Sequence, residues 1–446
     1  MKIQRNIYQD LLEWKNDSKK SPLLILGQRQ IGKTYIIKDF GKNEYEKIIE
    51  INFLTNKKAR SYFEELNSDF KDLLNLWIND FNLDPNKMQN YLFFFDEIQE
   101  CPSAISALKM INEAEQKINL ICSGSYLTYK KASFNISFPV GQMKTIKMKQ
   151  IMFDEFMDAV GRKQILNLAI EEIKTKKRVS PVIHNELLKW FDFYLRIGGF
   201  PKVVTTFIEN QCTYKKAYEV LEGIYKDYKS DINKYSEIFS SKESLLMIYK
   251  NITKFIAKEN KKFVFQELGK ENGKSKKYRD LEKYLIWLNQ SNLVVKIENL
   301  KSIKYPLIDK TIDNYFKIYY NDHGFLGLNY GLNNNSTSGN FNEIKGGLFE
   351  NFVVSQFLYQ FKIYYYSWIE QGARYKIDFV VANNQNESCL IEIKSGQTHR
   401  LTSLNKIKNY PYKFVLSTNN YEEFETHTNI PIYFAFMLKE IISETE

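Results

Sequence analysis

Residues 22–34 read Pro22-Leu-Leu-Ile-Leu-Gly27-Gln28-Arg29-Gln30-Ile31-Gly32-Lys33-Thr34, a short apolar run followed at once by a Gly-x-x-x-x-Gly-Lys-Thr spacing. Glycines at these positions let the backbone curl so that successive N–H groups of residues 27–34 point inward at anionic oxygens. Lys33 adds a point charge suited to β and γ phosphates, and the Thr34 hydroxyl is a hard ligand suited to Mg²⁺. Ile36, Ile37 and Phe40 follow at helical spacing, so a helix N-terminus would add its positive end to the same place. Strand, loop and helix in this order predict a phosphate cradle at the edge of an α/β sheet.

A second segment, Tyr91-Leu-Phe-Phe-Phe-Asp96-Glu97, ends a five-residue apolar run in two carboxylates. This is the pattern of a buried parallel strand whose tip reaches the ligand edge of the sheet. Asp96 is expected in the Mg²⁺ shell and Glu97 as the group that orients or deprotonates an attacking water. A third strand, Ile118 to Cys122, runs into Ser123-Gly124-Ser125, whose hydroxyls either sense the γ-phosphate or simply end the strand.

Around these segments, strand-like runs (22–26, 47–53, 91–95, 118–122, 143–148) alternate with amphipathic stretches (34–40, 57–66, 69–80, 104–116, 153–160). Such alternation predicts a parallel sheet flanked by helices, a domain over residues 1–165. Residues 166–330 turn mainly helical, broken by Gly198-Gly199-Phe200-Pro201 and ending in a strand-like Leu293 to Ile297. They are expected to form a helical and winged-helix lid, with any small α+β insertion as the alternative. Residues 331–341 hold almost no apolar side chains and read as a linker.

Residues 342–446 form the third block. Gly347 to Leu358 reads as a helix with Glu350 near its start, followed by the strand-like Lys376-Ile-Asp378-Phe-Val-Val381 and Cys389-Leu-Ile-Glu392-Ile393-Lys394. Charges inside strands cost several kcal/mol unless compensated. Period two puts Glu392 and Lys394 on one face that Asp378 can share. Asp378, Glu392 and the Ile393 carbonyl would then hold Mg²⁺, and Lys394 would position a water for phosphodiester cleavage. A solvated edge strand is the alternative.

The chain of 446 residues carries a net charge of +10, but 54 of its 63 basic residues are lysine, as an AT-rich genome would encode, so the charge is modest support for a polyanionic partner. No apolar run approaches the roughly 20 residues needed to span a membrane, and the N-terminus does not read as a signal peptide, so a cytoplasmic protein without membrane contact is expected. Four widely spaced cysteines and four scattered histidines indicate neither a disulfide framework nor a zinc site.

Taken together the chain resembles the prokaryotic AAA-like, STAND-related P-loop ATPases with a C-terminal restriction-endonuclease-like domain. The likeness rests on Gly27 to Thr34, Phe95 to Gln99, Ser123 to Ser125, Phe153 to Phe156, Gly198 to Pro201, Phe316 to Tyr319, Phe349 to Asn351, Ile377 to Phe379 and Ile391 to Gly396. It implies ATP or GTP at Gly27–Thr34, with Gly199 and Pro201 packing near the base. It also implies a PD-(D/E)xK core of Glu350, Asp378, Glu392 and Lys394, with DNA as the partner and a homo-oligomer as the assembly. Where the family has Gly-Arg after its sensor segment this chain has Gly141-Gln142, so Arg162 or Arg196 would have to meet the γ-phosphate charge. The resemblance implies an ATPase whose nucleotide state controls a DNA-binding or nuclease-like C-terminal module. The alternative is a STAND-type nucleotide-gated sensor with a non-cleaving binding domain.

Overall fold

The computed structural model describes residues 2–65, 70–115, 117–125, 141–235, 242–257, 270–271, 274–275, 278–332, 340–396, 401–408 and 410–444. Most of the linker expected at 331–341 falls outside the described residues. The chain divides into two units, one of Gln4–Lys149 with Gln290–Asn292 and one of Met1–Ile3, Gln150–Asn289 and Leu293–Glu446. Among the described residues no helix is long and apolar enough to cross a membrane.

In the first unit, strands β1 (Leu23–Leu26), β2 (Lys47–Asn52), β3 (Tyr91–Asp96), β4 (Asn119–Gly124) and β5 (Lys144–Lys147) form one parallel sheet in the order β2-β3-β4-β1-β5. The α/β fold and parallel sheet expected from the alternation are present. Helices α1 (Ile7–Asn16), α2 (Lys33–Glu44), α3 (Lys57–Glu65), α4 (Phe70–Phe81) and α5 (Pro102–Glu113) cover it. Every residue of β3 is buried, and on one face Phe93 and Phe95 meet Trp77 of α4 and Phe63 of α3. Each such ring contributes about 1.5–3 kcal/mol by leaving water. On another side Tyr8 of α1 meets Phe40 of α2 edge to face at 5.4 Å. The register places Leu26 beside Gly124 and Asn52 beside Asp96, so the carboxyl ends of four strands share one edge.

The second unit begins earlier than the expected boundary at 165. Helix α6 (Phe153–Ala159) belongs to it because Phe153 and Phe156 pack on Tyr194, with ring centroids at 5.7 and 5.1 Å. Helices α7 (Lys163–Lys174), α8 (Pro181–Ile197), α9 (Pro201–Glu209), α10 (Tyr214–Tyr235), α11 (Lys242–Ala257) and α12 (Tyr278–Gln290) follow, with the two-residue strands β6 (Lys270–Glu271) and β7 (Lys274–Ser275) between the last two. Next come β8 (Val294–Leu300), β9 (Thr311–Tyr320), α13 (Gly324–Asn329), α14 (Asn340–Phe357), β10 (Tyr364–Glu370), β11 (Ala373–Ala382), β12 (Ser388–Ile393), α15 (Thr402–Lys406), β13 (Lys413–Ser417), β14 (Glu422–Glu423), β15 (Thr428–Pro431) and α16 (Leu438–Glu444).

Here the structure departs from the winged-helix expectation. The β8–β9 hairpin is not a free wing; β8 pairs in parallel with β10, giving an eight-stranded sheet in the order β14-β15-β13-β12-β11-β10-β8-β9. A wing presents one face to water, whereas Val294, Val295, Ile297, Asn299 and Leu300 bury both faces of β8. The sheet therefore runs across the linker, and Asn351 of α14 clasps the end of β9. Its side chain accepts from the Tyr320 N–H at 3.1 Å and donates to the Tyr320 carbonyl at 2.8 Å.

The Gly198–Pro201 break is held by a buried carboxylate. Asp322 accepts from the Gly199 N–H at 2.9 Å and from the Gly324 N–H at 2.8 Å. Gly198 takes φ +75°, and a Cβ there would collide with Asp322, so the position requires glycine. Burial raises the Asp322 pKa to about 6, against the two N–H bonds that lower it. The native state thus holds this proton more tightly than the unfolded chain, and the stability so gained is full below about pH 4 and lost as pH rises through about 6. Asp322→Ala should cost about 2–5 kcal/mol by orphaning two buried N–H groups. Asp322→Asn should remove this part of the pH slope, and urea unfolding in mildly acidic and neutral buffer measures both effects.

Candidate functional site

The loop after β1 curls as its glycines predict. Gln30 and Gly32 adopt left-handed φ values of 63° and 89°, and Ile31 turns inward against Gly27. A Cβ on Gly27 would lie 2.5 Å from Ile31 Cδ1 and 2.8 Å from the Met148 carbonyl oxygen, so the first glycine is required by close packing. Helix α2 starts at Lys33, whose buried ammonium donates to the carbonyls of Gly27 at 2.9 Å and Gln28 at 2.6 Å. Burial lowers its pKa to about 8, while Glu97 and Asp96 act in the opposite sense. Arg29 is half-buried on the loop, and the Gln28 amide donates to the carbonyl of Asn292 at 2.5 Å.

Asp96, buried at the tip of β3, gathers donors from three elements. The Thr34 hydroxyl of α2 lies 3.2 Å from Oδ1, the Asn52 amide at the end of β2 lies 3.1 Å from Oδ2, and the Ser123 hydroxyl of β4 donates to Oδ1. All three donors are neutral, which leaves the carboxylate's charge for a cation beside the Thr34 oxygen. Two hard oxygens at that separation fit Mg²⁺. Glu97 stands next along the chain in the left-handed region at φ 53°, receiving the Gln99 amide and, at 3.4 Å, the Ser125 hydroxyl. Both hydroxyls of the Ser123-Gly124-Ser125 turn therefore serve carboxylates.

Two contributors have no motif of their own. Arg5 reaches from before α1 to the carbonyls of Ile31 (3.2 Å) and Lys149 (2.6 Å), tying the loop to the chain beyond β5. Asn52 is the other, and it stands where a parallel strand ends. Gln142, standing where an arginine was expected, accepts from the Asn112 amide at 2.6 Å.

Gly199 and Pro201, expected near the base, belong to the second unit. There the Gly199 carbonyl accepts from the Ile151 N–H at 2.8 Å and Pro201 opens α9. Arg196 pairs with Asp192 at 3.0 Å, and Arg162 pairs with Glu186 at 3.7 Å.

Glu350, Asp378, Glu392 and Lys394 lie in one cluster of the second unit, with two further lysines among them. Lys376 Nζ sits 2.6 Å from Asp378 Oδ1 and 3.6 Å from Glu350 Oε1. Glu350 Oε2 receives the Tyr319 hydroxyl at 2.6 Å and faces the buried Lys317 ammonium at 3.5 Å. Asp378 Oδ2 accepts from the Ile393 N–H at 3.0 Å, and Lys394 donates to Glu392 Oε1 at 2.8 Å. Burial, and then Asp378, raise the Glu392 pKa to about 7. Burial pulls the Lys376 pKa down, but Asp378 and Glu350 outweigh it and the net direction is up. Among the described residues no three His, Cys, Asp or Glu side chains are arranged to hold a metal ion. Lys376 had a sequence signal, since period two puts it on the face of Asp378.

Residues 19–157 match a family described as an AAA domain, and residues 188–336 and 345–434 match two families each described as a domain of unknown function. The uncharacterized protein MJ1544 of Methanocaldococcus jannaschii is 25% identical over 385 residues, covering 84% of this chain and 76% of that one. Among solved structures, the Walker-type ATPase PABY2304 of Pyrococcus abyssi shares 15% identity at a TM-score of 0.44, covering 74% of this chain and 96% of that one. The ORC2 protein of Aeropyrum pernix shares 12% at 0.36, covering 66% and 88%. With its AAA match, parallel sheet and loop, the N-terminal part is a P-loop ATPase-like AAA domain.

Ser123→Ala removes one of the three donors to the buried Asp96 and should lower the stability of the protein by about 1–3 kcal/mol. Denaturant unfolding of the parent and the variant checks this.

Proposed function

We propose that the chain binds and hydrolyses ATP at the loop of residues 27–34, and that its nucleotide state controls a DNA-binding module built on the C-terminal sheet. The observation that carries the first part is the convergence of Lys33, Thr34, Asp96 and Glu97 on one edge of the parallel sheet. Lys33, which donates to two carbonyls of its own loop, would exchange them for phosphate oxygens, a charge-assisted and stronger pairing. The amides of Gln28 to Thr34 would line the phosphate chain. Thr34 and Asp96 would hold Mg²⁺, which supplies charge neutralisation at the β and γ oxygens. Glu97 would take the proton of the attacking water as oxygen bonds to the γ-phosphorus and ADP departs with the bridging oxygen's electron pair. Asp96 would stay bonded to Ser123 and Asn52, keeping Thr34 in place.

Two observations support control of the second unit. Gln28 of the loop holds the Asn292 carbonyl, and the chain continues from Asn292 directly into β8 of the C-terminal sheet. A rearrangement of the loop would be felt at that turn. DNA as the ligand is supported by the net charge of +10 and by the exposed Arg374 of β11.

Lys33→Ala should lower ATP affinity about 100-fold, the loss of a charged hydrogen-bond partner, and abolish turnover. Because bound phosphate would hold Lys33 charged, affinity in the parent should fall as pH rises through about 8. Glu97→Gln should bind ATP as the parent does and turn it over far more slowly. Fluorescent-nucleotide titration and phosphate release measure these effects, and a Lys33→Ala protein with parental affinity and turnover would contradict the assignment.

A further inference from the structure

The carboxylate cluster of the C-terminal sheet presents three acids to three lysines. Glu350 faces Lys317 and Lys376, Asp378 faces Lys376, and Glu392 faces Lys394, at 2.6 to 3.6 Å. Every carboxylate oxygen of the cluster except Glu392 Oε2 has a hydrogen-bond or ion-pair partner. The formal charges cancel. A divalent cation binds an oxygen cage through excess negative charge, and here little excess remains. The place between Asp378 and Glu350, where two acids from different elements meet, is taken by an ammonium.

Lys376 is bound to that place by its backbone. It lies on β11 two residues before Asp378, so both side chains leave the same face of one strand, and the ion pair needs no ordering of a distant segment. The α14 carboxylate of Glu350 is fixed from the other side by Tyr319 and Lys317 of β9, and therefore approaches an ammonium that is already positioned. Withdrawing Lys376 would leave two buried acids facing one another, a repulsion that a metal would have to offset.

We propose that the ammonium of Lys376 fills the cation position of the Glu350–Asp378–Glu392 cluster and excludes a divalent metal from it. The C-terminal unit then engages its ligand without metal and lacks the metal-assisted cleavage that its acidic and lysine residues suggest. This inference does not rest on the nucleotide reading, since it concerns residues of the other unit.

Mn²⁺ binding to the full chain without nucleotide, followed by electron paramagnetic resonance, tests it. The parent and Asp378→Asn should bind Mn²⁺ equally, because no Mn²⁺ sits on Asp378. Lys376→Met should gain one Mn²⁺ per chain, the gain should vanish in Lys376→Met/Asp378→Asn, and Lys376→Arg should not show it. Asp378-dependent Mn²⁺ binding in the parent would overturn the proposal, whether or not the Lys376 variants fold. So would a folded Lys376→Met or Lys376→Gln protein with no gain.

Discussion

The N-terminal site depends on one buried carboxylate. Asp96 ends the fully buried strand β3, where an ionised acid is costly unless hydrogen-bonded, and neutral donors from α2, β2 and β4 meet that cost. The same three bonds tie the start of α2 to the ends of two other strands, so the loop between β1 and α2 is held at both ends. Arg5 holds its middle through Ile31. Its hydrogen-bond partners are uncharged and hold Asp96 rigidly from three elements, the condition for a preorganised cation site.

The C-terminal cluster solves a similar problem differently. Its acids also lie buried on and beside strands, but they are matched by lysines rather than by neutral donors. Pairing charge with charge neutralises the site, whereas pairing charge with hydroxyls and amides leaves it charged. The two units thus hold acids in opposite electrostatic states, which is why the same residue types carry different proposals.

Much of this was legible in local spacing. The loop of residues 27–34 and the Asp96-Glu97 tip each lie within a few residues, and the period of two in β11 and β12 puts Asp378, Glu392 and Lys394 on neighbouring faces. What escaped depends on distant pairings. Asn52 reaches Asp96 across 44 residues and Arg5 reaches Lys149 across 144, and neither shows in a local pattern. The β8–β9 hairpin has the local signal of a wing, and only the later strand β10 decides that it joins the terminal sheet. Lys376 was visible but its role was not, because spacing shows which face a lysine shares and not which acid its ammonium meets.

A crystal structure of the chain with a non-hydrolysable ATP analogue and Mg²⁺ would show whether nucleotide occupies the loop of residues 27–34. Nucleotide binding here requires phosphate density in the curl of residues 27–34, with the Lys33 ammonium moved from the Gly27 and Gln28 carbonyls onto it, and with Asp96 still bonded to Ser123 and Asn52. A loop closed without nucleotide, with Lys33 still on those carbonyls, would contradict it.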